Sequence, residues 1–363
     1  MWVCTELLNN VGIIGFDHDL QDYSKDTYNE LYGITMNKNM YGFIGPSQLC
    51  GDLQFYSELN GNVSGVGELY LYSKDGNPGE RFSSIEIGER QDIVTGSANN
   101  VVIDNLSFKF TGSHGMGGAG GCKNRTVTNC IYSWLGGSIL SLNFHGNGSP
   151  VNYGNAVEIY GACDGYYVEN NWMYQIYDTA VTHQRSSSTG DCIQENIHYS
   201  KNLMEYVFWA IESYNAPPKL SAGQEDTWTR ITRNYLADYN VMRLGGYGWG
   251  SIVRHRTCQL YWCNAISENY DCYSQYNILD RAYGYLVGYP SNHNEVPDKN
   301  IYIQHIGQPL RLKGQNIVCG YDFAEQIAES WGDKNAVVIV IDASLEPIVR
   351  NFPEGFIEPD ALY

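Results

Sequence analysis

Between residues 98 and 319 the chain alternates apolar and polar positions in short runs, and Gly, Asn, Asp or Ser separate the runs. A period of two over so few residues predicts short strands joined by turns. Six segments repeat one pattern: a β-branched or aromatic residue, two further positions, Asn, then apolar or aromatic residues. They are Val102-Ile103-Asp104-Asn105-Leu106, Thr126-Val127-Thr128-Asn129-Cys130, Tyr167-Val168-Glu169-Asn170-Asn171, Tyr199-Ser200-Lys201-Asn202-Leu203, Ile231-Thr232-Arg233-Asn234-Tyr235 and Ile266-Ser267-Glu268-Asn269-Tyr270. The Asn positions are 24, 41, 32, 32 and 35 residues apart.

Each repeat holds two or three strand-like runs. A recurrent Asn at one turn tolerates left-handed backbone, and its amide can bond to the Asn of the next coil. Stacked coils would bury their inward residues against neighbouring coils. The pattern therefore predicts an all-β right-handed parallel β-helix, a solenoid with capping elements at both ends. A β-propeller is the rival fold, but variable spacing and a single-Asn turn argue against it.

One elongated domain results. Residues 1–97 read as irregular β coils and a cap, with Glu68 to Tyr72 a clear strand. Residues 98–319 form the core, and residues 320–363 close it with a helix, Ala324 to Trp331, and a strand, Ala336 to Asp342. Leu142 to Asn155 and Asn215 to Trp228, the latter with Pro217-Pro218, interrupt the rhythm as loops thrown out from the coils, where function concentrates.

Composition narrows the partners. Forty acidic against 22 basic side chains give a formal charge of −18, which excludes the basic surface that nucleic acid or anionic membrane would need. It also disfavours an anionic substrate such as polygalacturonate. Calcium could reverse that preference by bridging acid to acid, but the sequence marks no site for it, so no cofactor or metal is expected. No apolar run is long enough to span a membrane, and Met1-Trp2-Val3-Cys4 enters strand-like sequence without a secretory leader. The ten cysteines do not form a disulfide framework and read mostly as buried thiols; Cys258 and Cys263 have a metal-like spacing but no second pair. Thirty Tyr, eight Trp and 39 Gly with only 17% charged residues suit many turns and flat aromatic faces.

Tyr153-Gly154-Asn155-Ala156-Val157-Glu158-Ile159-Tyr160-Gly161, continued by Asp164-Gly165 and Val168-Glu169-Asn170-Asn171, resembles bacterial carbohydrate-active proteins of the pectate-lyase-like β-helix superfamily. Tyr177-Asp178-Thr179-Ala180-Val181-Thr182-His183-Gln184 fits the same pattern. The resemblance extends over about residues 60–290. It implies the fold and a carbohydrate context outside the cell or on its surface. It does not fix an activity, because that superfamily holds lyases, hydrolases, esterases and binding modules. The calcium-binding Asp cluster and arginine base of its pectate lyases are not recognisable in this chain.

Aligning the third strand of successive coils stacks Val157-Glu158-Ile159, Val181-Thr182-His183, Ile211-Glu212-Ser213 and Met242-Arg243-Leu244. With the apolar residues inward, Glu158, Thr182, Glu212 and Arg243 form an outward column; a one-residue slip would reverse every assignment. Glu158 and Glu212 would then sit two coils apart, roughly 9–10 Å between backbones, near the spacing of an inverting glycosidase pair. Asp178, at the strand entrance, could make a closer, retaining-type pair with Glu158. Arg243 beside Glu212 would keep it ionised as base, leaving Glu158 as acid and His183 as a positioning group or alternative acid–base. The same residues could equally be a solubilising face with an ordinary ion pair.

Trp209, Tyr214, Tyr247 and Trp249 on the same column, with Tyr160 and Trp134 toward the N-terminus, could pack against the C–H faces of sugar rings; Trp172 and Trp262 read as core. Gly115 to Gly121 resembles a phosphate loop only superficially, lacking its lysine. Two functions compete. One is a glycoside hydrolase acting on a neutral plant cell-wall polysaccharide such as xylan, through the carboxylate pair. The other is a non-catalytic carbohydrate-binding module detached from the other modules of a larger enzyme. A structural fibre or tailspike segment is the third.

Overall fold

The computed structural model describes residues 1–17, 35–36, 45–59, 63–118, 120–142, 150–185, 188–215, 218–251, 259–264, 269–288, 294–312 and 315–342. Within these residues the chain is predominantly strand, and three long sheets organise it. The first sheet has seven strands: Val101–Asp104, Cys122–Thr128, Cys163–Glu169, Cys192–Ser200, Arg230–Asp238, Tyr270–Gln275 and Val296–Asp298. The second has eight, from Ser107–Thr111 to Val337–Ile341. The third has nine, from Val94–Gly96 to Gln315–Val318; only its last pair is antiparallel. Successive strands visit the three sheets in rotation, so each sheet gains one strand per circuit. The result is an all-β fold of long parallel sheets, as an all-β parallel solenoid requires.

Inward residues stack circuit upon circuit. Val157, Val181 and Ile211 are in register on the third sheet and fully buried. Met173, Met204 and Met242 do the same on the second, and Val127, Val168 and Tyr199 on the first. All belong to one continuous apolar cluster. Removing them from water is the main stabilising term of a fold in which every rung depends on its neighbours.

The Asn repeat proves to be two devices at adjacent positions. The turn from first to second sheet puts one residue per circuit in left-handed backbone: Asn105, Asn129, Asn170, Lys201, Tyr239, Tyr276 and Lys299, with φ between 53° and 59°. The next residue carries the ladder. Asn171 donates from its side chain to Asn202, Asn202 to Asn240, Asn240 to Asn277 and Asn277 to Asn300, each at 3.0 Å. Asp333 ends it, accepting from the backbone and side-chain N–H groups of Asn300 and from the Tyr302 hydroxyl. Of the six Asn residues read from sequence, only Asn202 is a ladder member. Asn105, Asn129 and Asn170 hold the turn. Asn234 belongs to a separate left-handed column with Asn100, Asn124 and Asn196, and Asn269 accepts from the Thr232 backbone. Ile266 to Glu268 lie outside the described residues.

The ends differ from the middle. Short antiparallel strands, including Leu69–Leu71 and Val11–Phe16, build a separate small core of Val11, Ile14, Phe16, Phe55, Leu69 and Leu71. At the other end, helical turns over Phe323–Gln326 and Ile327–Trp331 press Phe323, Ile327 and Trp331 onto the main cluster. The strand Val337–Ile341 then joins the second sheet as its last parallel member. The cysteines at 122, 130, 163, 192, 272 and 319 are buried free thiols. Cys258 and the side chain of Cys263 lie outside the described residues. Among the described residues, no helix is long and apolar enough to cross a membrane.

Candidate functional site

The site is built on the outer face of the third sheet, where Val157–Tyr160, Thr179–Arg185 and Trp209–Asn215 lie side by side. Because Val157, Ile159, Val181 and Ile211 face the core, strand alternation turns Glu158, Thr182 and Glu212 to the opposite side, and the three are in register. The expected column therefore exists up to Glu212. Its fourth position is Trp262, not Arg243. Met242 and Arg243 lie on the second sheet, in register with Met204 and Glu205, and the Arg243 guanidinium pairs with Glu205 at 2.6 Å. Arg243 is thus not the group that sets the charge of Glu212.

The carboxylates are recessed, with Glu158 9% and Glu212 5% exposed. One amide joins them: Gln184 Nε2 lies 3.3 Å from Glu158 Oε2 and 3.2 Å from Glu212 Oε2. The two oxygens are therefore no farther apart than the sum of those distances, 6.5 Å. Glu212 Oε2 also accepts from the hydroxyls of Thr182 (3.1 Å) and Thr179 (3.3 Å). Glu158 has a different setting. Burial holds its carboxyl above the usual range, the negative charges of Asp178 and Asp92 add to this, and His114 and the Asn155 amide oppose it.

A second column flanks the first. Two residues before Met116, Val157, Val181 and Ile211 stand His114, Asn155, Thr179 and Trp209. Asn155 donates its side-chain amide to Glu158 Oε2 at 2.6 Å and its backbone N–H to His114 Nδ1 at 3.0 Å. Its own Oδ1 accepts the Thr179 N–H at 2.9 Å. His114 Nε2 points at Glu158 Oε1 from 3.6 Å. Sequence reading missed His114 and Asn155; their shared offset from the apolar column was the available signal. Asp178 is half-buried at the strand entrance and acts on Glu158 through its charge.

On the other flank Tyr160, Gln184 and Tyr214 are in register. Tyr160 is 39% exposed and Tyr214 half-buried beside Glu212; burial and that glutamate raise the Tyr214 hydroxyl's pKa. Trp209 is also half-buried, packed on Phe208. The remaining aromatic candidates are elsewhere. Trp249 is buried edge-on to Tyr177 and donates its indole N–H to Gln175 O at 2.8 Å, and Tyr247 packs edge-on to Tyr283. Trp134 is buried as well. Trp172, expected in the core, lies on the second sheet, stacks on Tyr174 and donates to Glu205. The Trp262 side chain is outside the described residues.

His183 does not share the face of the glutamates. It points inward, shares a hydrogen bond with the Tyr199 hydroxyl and packs on Tyr199 and Tyr235. Burial, helped by the charge of Arg185, pushes its pKa down to about 3, so it is a neutral core residue and not an acid–base on this face. With Ser213, Thr232 and Glu295 it lines a small cavity of about 10 Å³, the scale of a single water. No family model, curated protein or solved structure matches this chain. The residues of the outer face therefore carry the functional argument alone. Among the described residues, no three His, Cys, Asp or Glu side chains form a group that could hold a metal ion.

Proposed function

We propose that the chain is a right-handed parallel β-helix acting as an extracellular or cell-surface glycoside hydrolase on a neutral polysaccharide of the plant cell-wall type, xylan being one example. The observation that carries this reading is the pair of recessed carboxylates whose Oε2 atoms lie within 6.5 Å of each other through Gln184, with burial raising the pKa of the Glu158 carboxyl and the Thr179 and Thr182 hydroxyls donating to Glu212. A protonated carboxyl facing a second carboxylate is the requirement for glycosidic acid–base work. The ceiling of 6.5 Å between the two Oε2 atoms is compatible with the closer, retaining spacing of about 5–5.5 Å, the spacing adopted in the scheme below.

In this scheme Glu158 gives its proton to the glycosidic oxygen while Glu212 Oε2 attacks the anomeric carbon. The glycosidic C–O bond breaks as a glycosyl ester of Glu212 forms. Water then attacks the anomeric carbon of that ester, Glu158 takes the water's proton, and Glu212 is released as carboxylate. Tyr160 and Tyr214, spaced across Gln184 along the sheet, offer ring surface to adjacent sugars. The chain's net charge of −18 accords with a neutral substrate.

The test is a panel of plant polysaccharides, scored for reducing-end release and for retardation in affinity gels, with wild type and Glu158→Gln. Release that is abolished in the variant while retardation persists supports the hydrolase. Retardation without release from wild type makes the chain a binding module, the outer-face tyrosines then carrying the function.

A further inference from the structure

His114 is supplied by the preceding circuit and is not used in the scheme above, yet it is 8% exposed and faces the carboxyl that must lose a proton. Its tautomer is fixed by its neighbours. The Asn155 backbone N–H donates to Nδ1, so Nδ1 presents a lone pair and the neutral ring carries its hydrogen on Nε2. That N–H aims at Glu158 Oε1 from 3.6 Å, beyond hydrogen-bond length, while Asn155 grips Oε2 at 2.6 Å. The edge-on contact with the Tyr153 ring, centroids 5.0 Å apart, buttresses the imidazole from the side.

We propose that His114 is a positioning residue that receives the charge Glu158 acquires on giving up its proton, its Nε2–H closing on Oε1 at that step. This rests on the hydrolase reading of the same site. A donor poised just outside contact adds little to the protonated acid and stabilises its conjugate base, which is differential stabilisation of the reacting state. With Nδ1 engaged by the Asn155 N–H, the ring presents its Nε2–H toward Glu158 and acts there as a donor. The other groups that face Glu158 are Asp178 and Asp92, which oppose its ionisation, Glu212 beyond Gln184, and the hydroxyls of Tyr153 and Tyr166. None of these but the tyrosines could donate to Oε1, and the Tyr166 hydroxyl is committed to the Glu158 backbone carbonyl.

The experiment compares wild type, His114→Phe and His114→Gln by ¹³C NMR titration of the Glu158 carboxyl, assigned by its loss in Glu158→Gln, alongside the pH profile of kcat/KM. In His114→Phe the carboxyl midpoint should rise by about one pH unit, as expected for loss of a donor to the ionised form. The alkaline limb of kcat/KM should rise with it, and kcat should fall roughly tenfold or more. His114→Gln, whose amide N–H reaches toward the same oxygen, should restore most of both. A carboxyl midpoint unmoved in a folded, active His114→Phe overturns the role of His114 alone. Absence of turnover in wild type overturns the hydrolase reading, and the catalytic role of His114 with it, wherever the carboxyl titrates.

Discussion

The side chain of Asn240 donates to Oδ1 of Asn277 at 3.0 Å, and the same oxygen takes the Asn240 backbone N–H at 2.9 Å. One acceptor thus satisfies two donors from the adjacent rung, and Asn240 offers the same arrangement to Asn202. Asn240→Ala would leave the Asn202 donors and the Tyr199 carbonyl without this partner at a fully buried position. The expected loss is about 2–4 kcal/mol, since each buried group left unsatisfied costs about 1–3 kcal/mol. Denaturant midpoints at constant slope measure it.

Glu158→Gln and Glu212→Gln should each lower kcat by about a hundredfold or more while preserving retardation by the polysaccharide. For Glu212→Ala, added azide should restore turnover and yield a glycosyl azide of inverted configuration. Azide rescue that appears in Glu158→Ala with inversion, and not in Glu212→Ala, would exchange the two roles.

The aromatic residues should separate into two sets. Tyr160→Ala and Tyr214→Ala should each weaken gel retardation several-fold, in keeping with roughly 0.5–1.5 kcal/mol for a ring contact, without a change in thermal midpoint. Trp249→Ala should do the reverse, costing about 3–5 kcal/mol of stability and leaving retardation of the folded fraction unchanged. Equal retardation by wild type and the tyrosine variants would remove that flank from the binding surface.

His183 imposes a pH dependence on stability. Its pKa is about 3 in the folded chain, against about 6.5 in an unfolded one, so between these values only the unfolded state takes up the proton. Stability is then lost as pH falls from about 6.5 toward 3, at up to about 1.4 kcal/mol per pH unit. Glu158 works in the opposite sense, since its folded pKa is raised and acid favours its native form. In His183→Gln the acid-side loss should be shallower by one proton, which chemical denaturation at pH 4, 5 and 6 would register. Parallel curves for variant and wild type would show that the imidazole takes up its proton equally in the folded and unfolded chain.

Strand content, sheet direction and the Glu158–Glu212 column were legible because each is written in local alternation, which the pleat converts directly into two faces. The ladder was harder to read. Two devices occupy consecutive positions, and Asn fills both in Asn170-Asn171, so the repeat slid between columns. Arg243 was misplaced for a related reason. Asn240-Val241-Met242 repeats Asn202-Leu203-Met204 and Asn171-Trp172-Met173, which assigns Met242 to the second sheet, but Met242-Arg243-Leu244 also mimics the alternation of the third. Short strands of like composition are interchangeable until a turn fixes the count. His183 looked functional because a histidine on a strand does not announce which way it faces; an inward Tyr199 and Tyr235 supplied the answer. His114 was hidden by its distance along the chain from Glu158.

The ladder that ends at Asp333 has a direction. From Asn202 to Asn300 every member donates toward the C-terminal side and accepts from the N-terminal side, whereas a carboxylate only accepts. Among the described residues, Asp333 is therefore the acceptor-only end of the Asn ladder, and it ends that ladder without specifying how many rungs precede it. A duplicated circuit inserted between Asn277 and Asn300 would find a donor on one side and an acceptor on the other. The same circuit appended after Asp333 would meet a partner with nothing to give. The length of such a ladder is in this sense an editable quantity, open to growth from within and closed at its acceptor end.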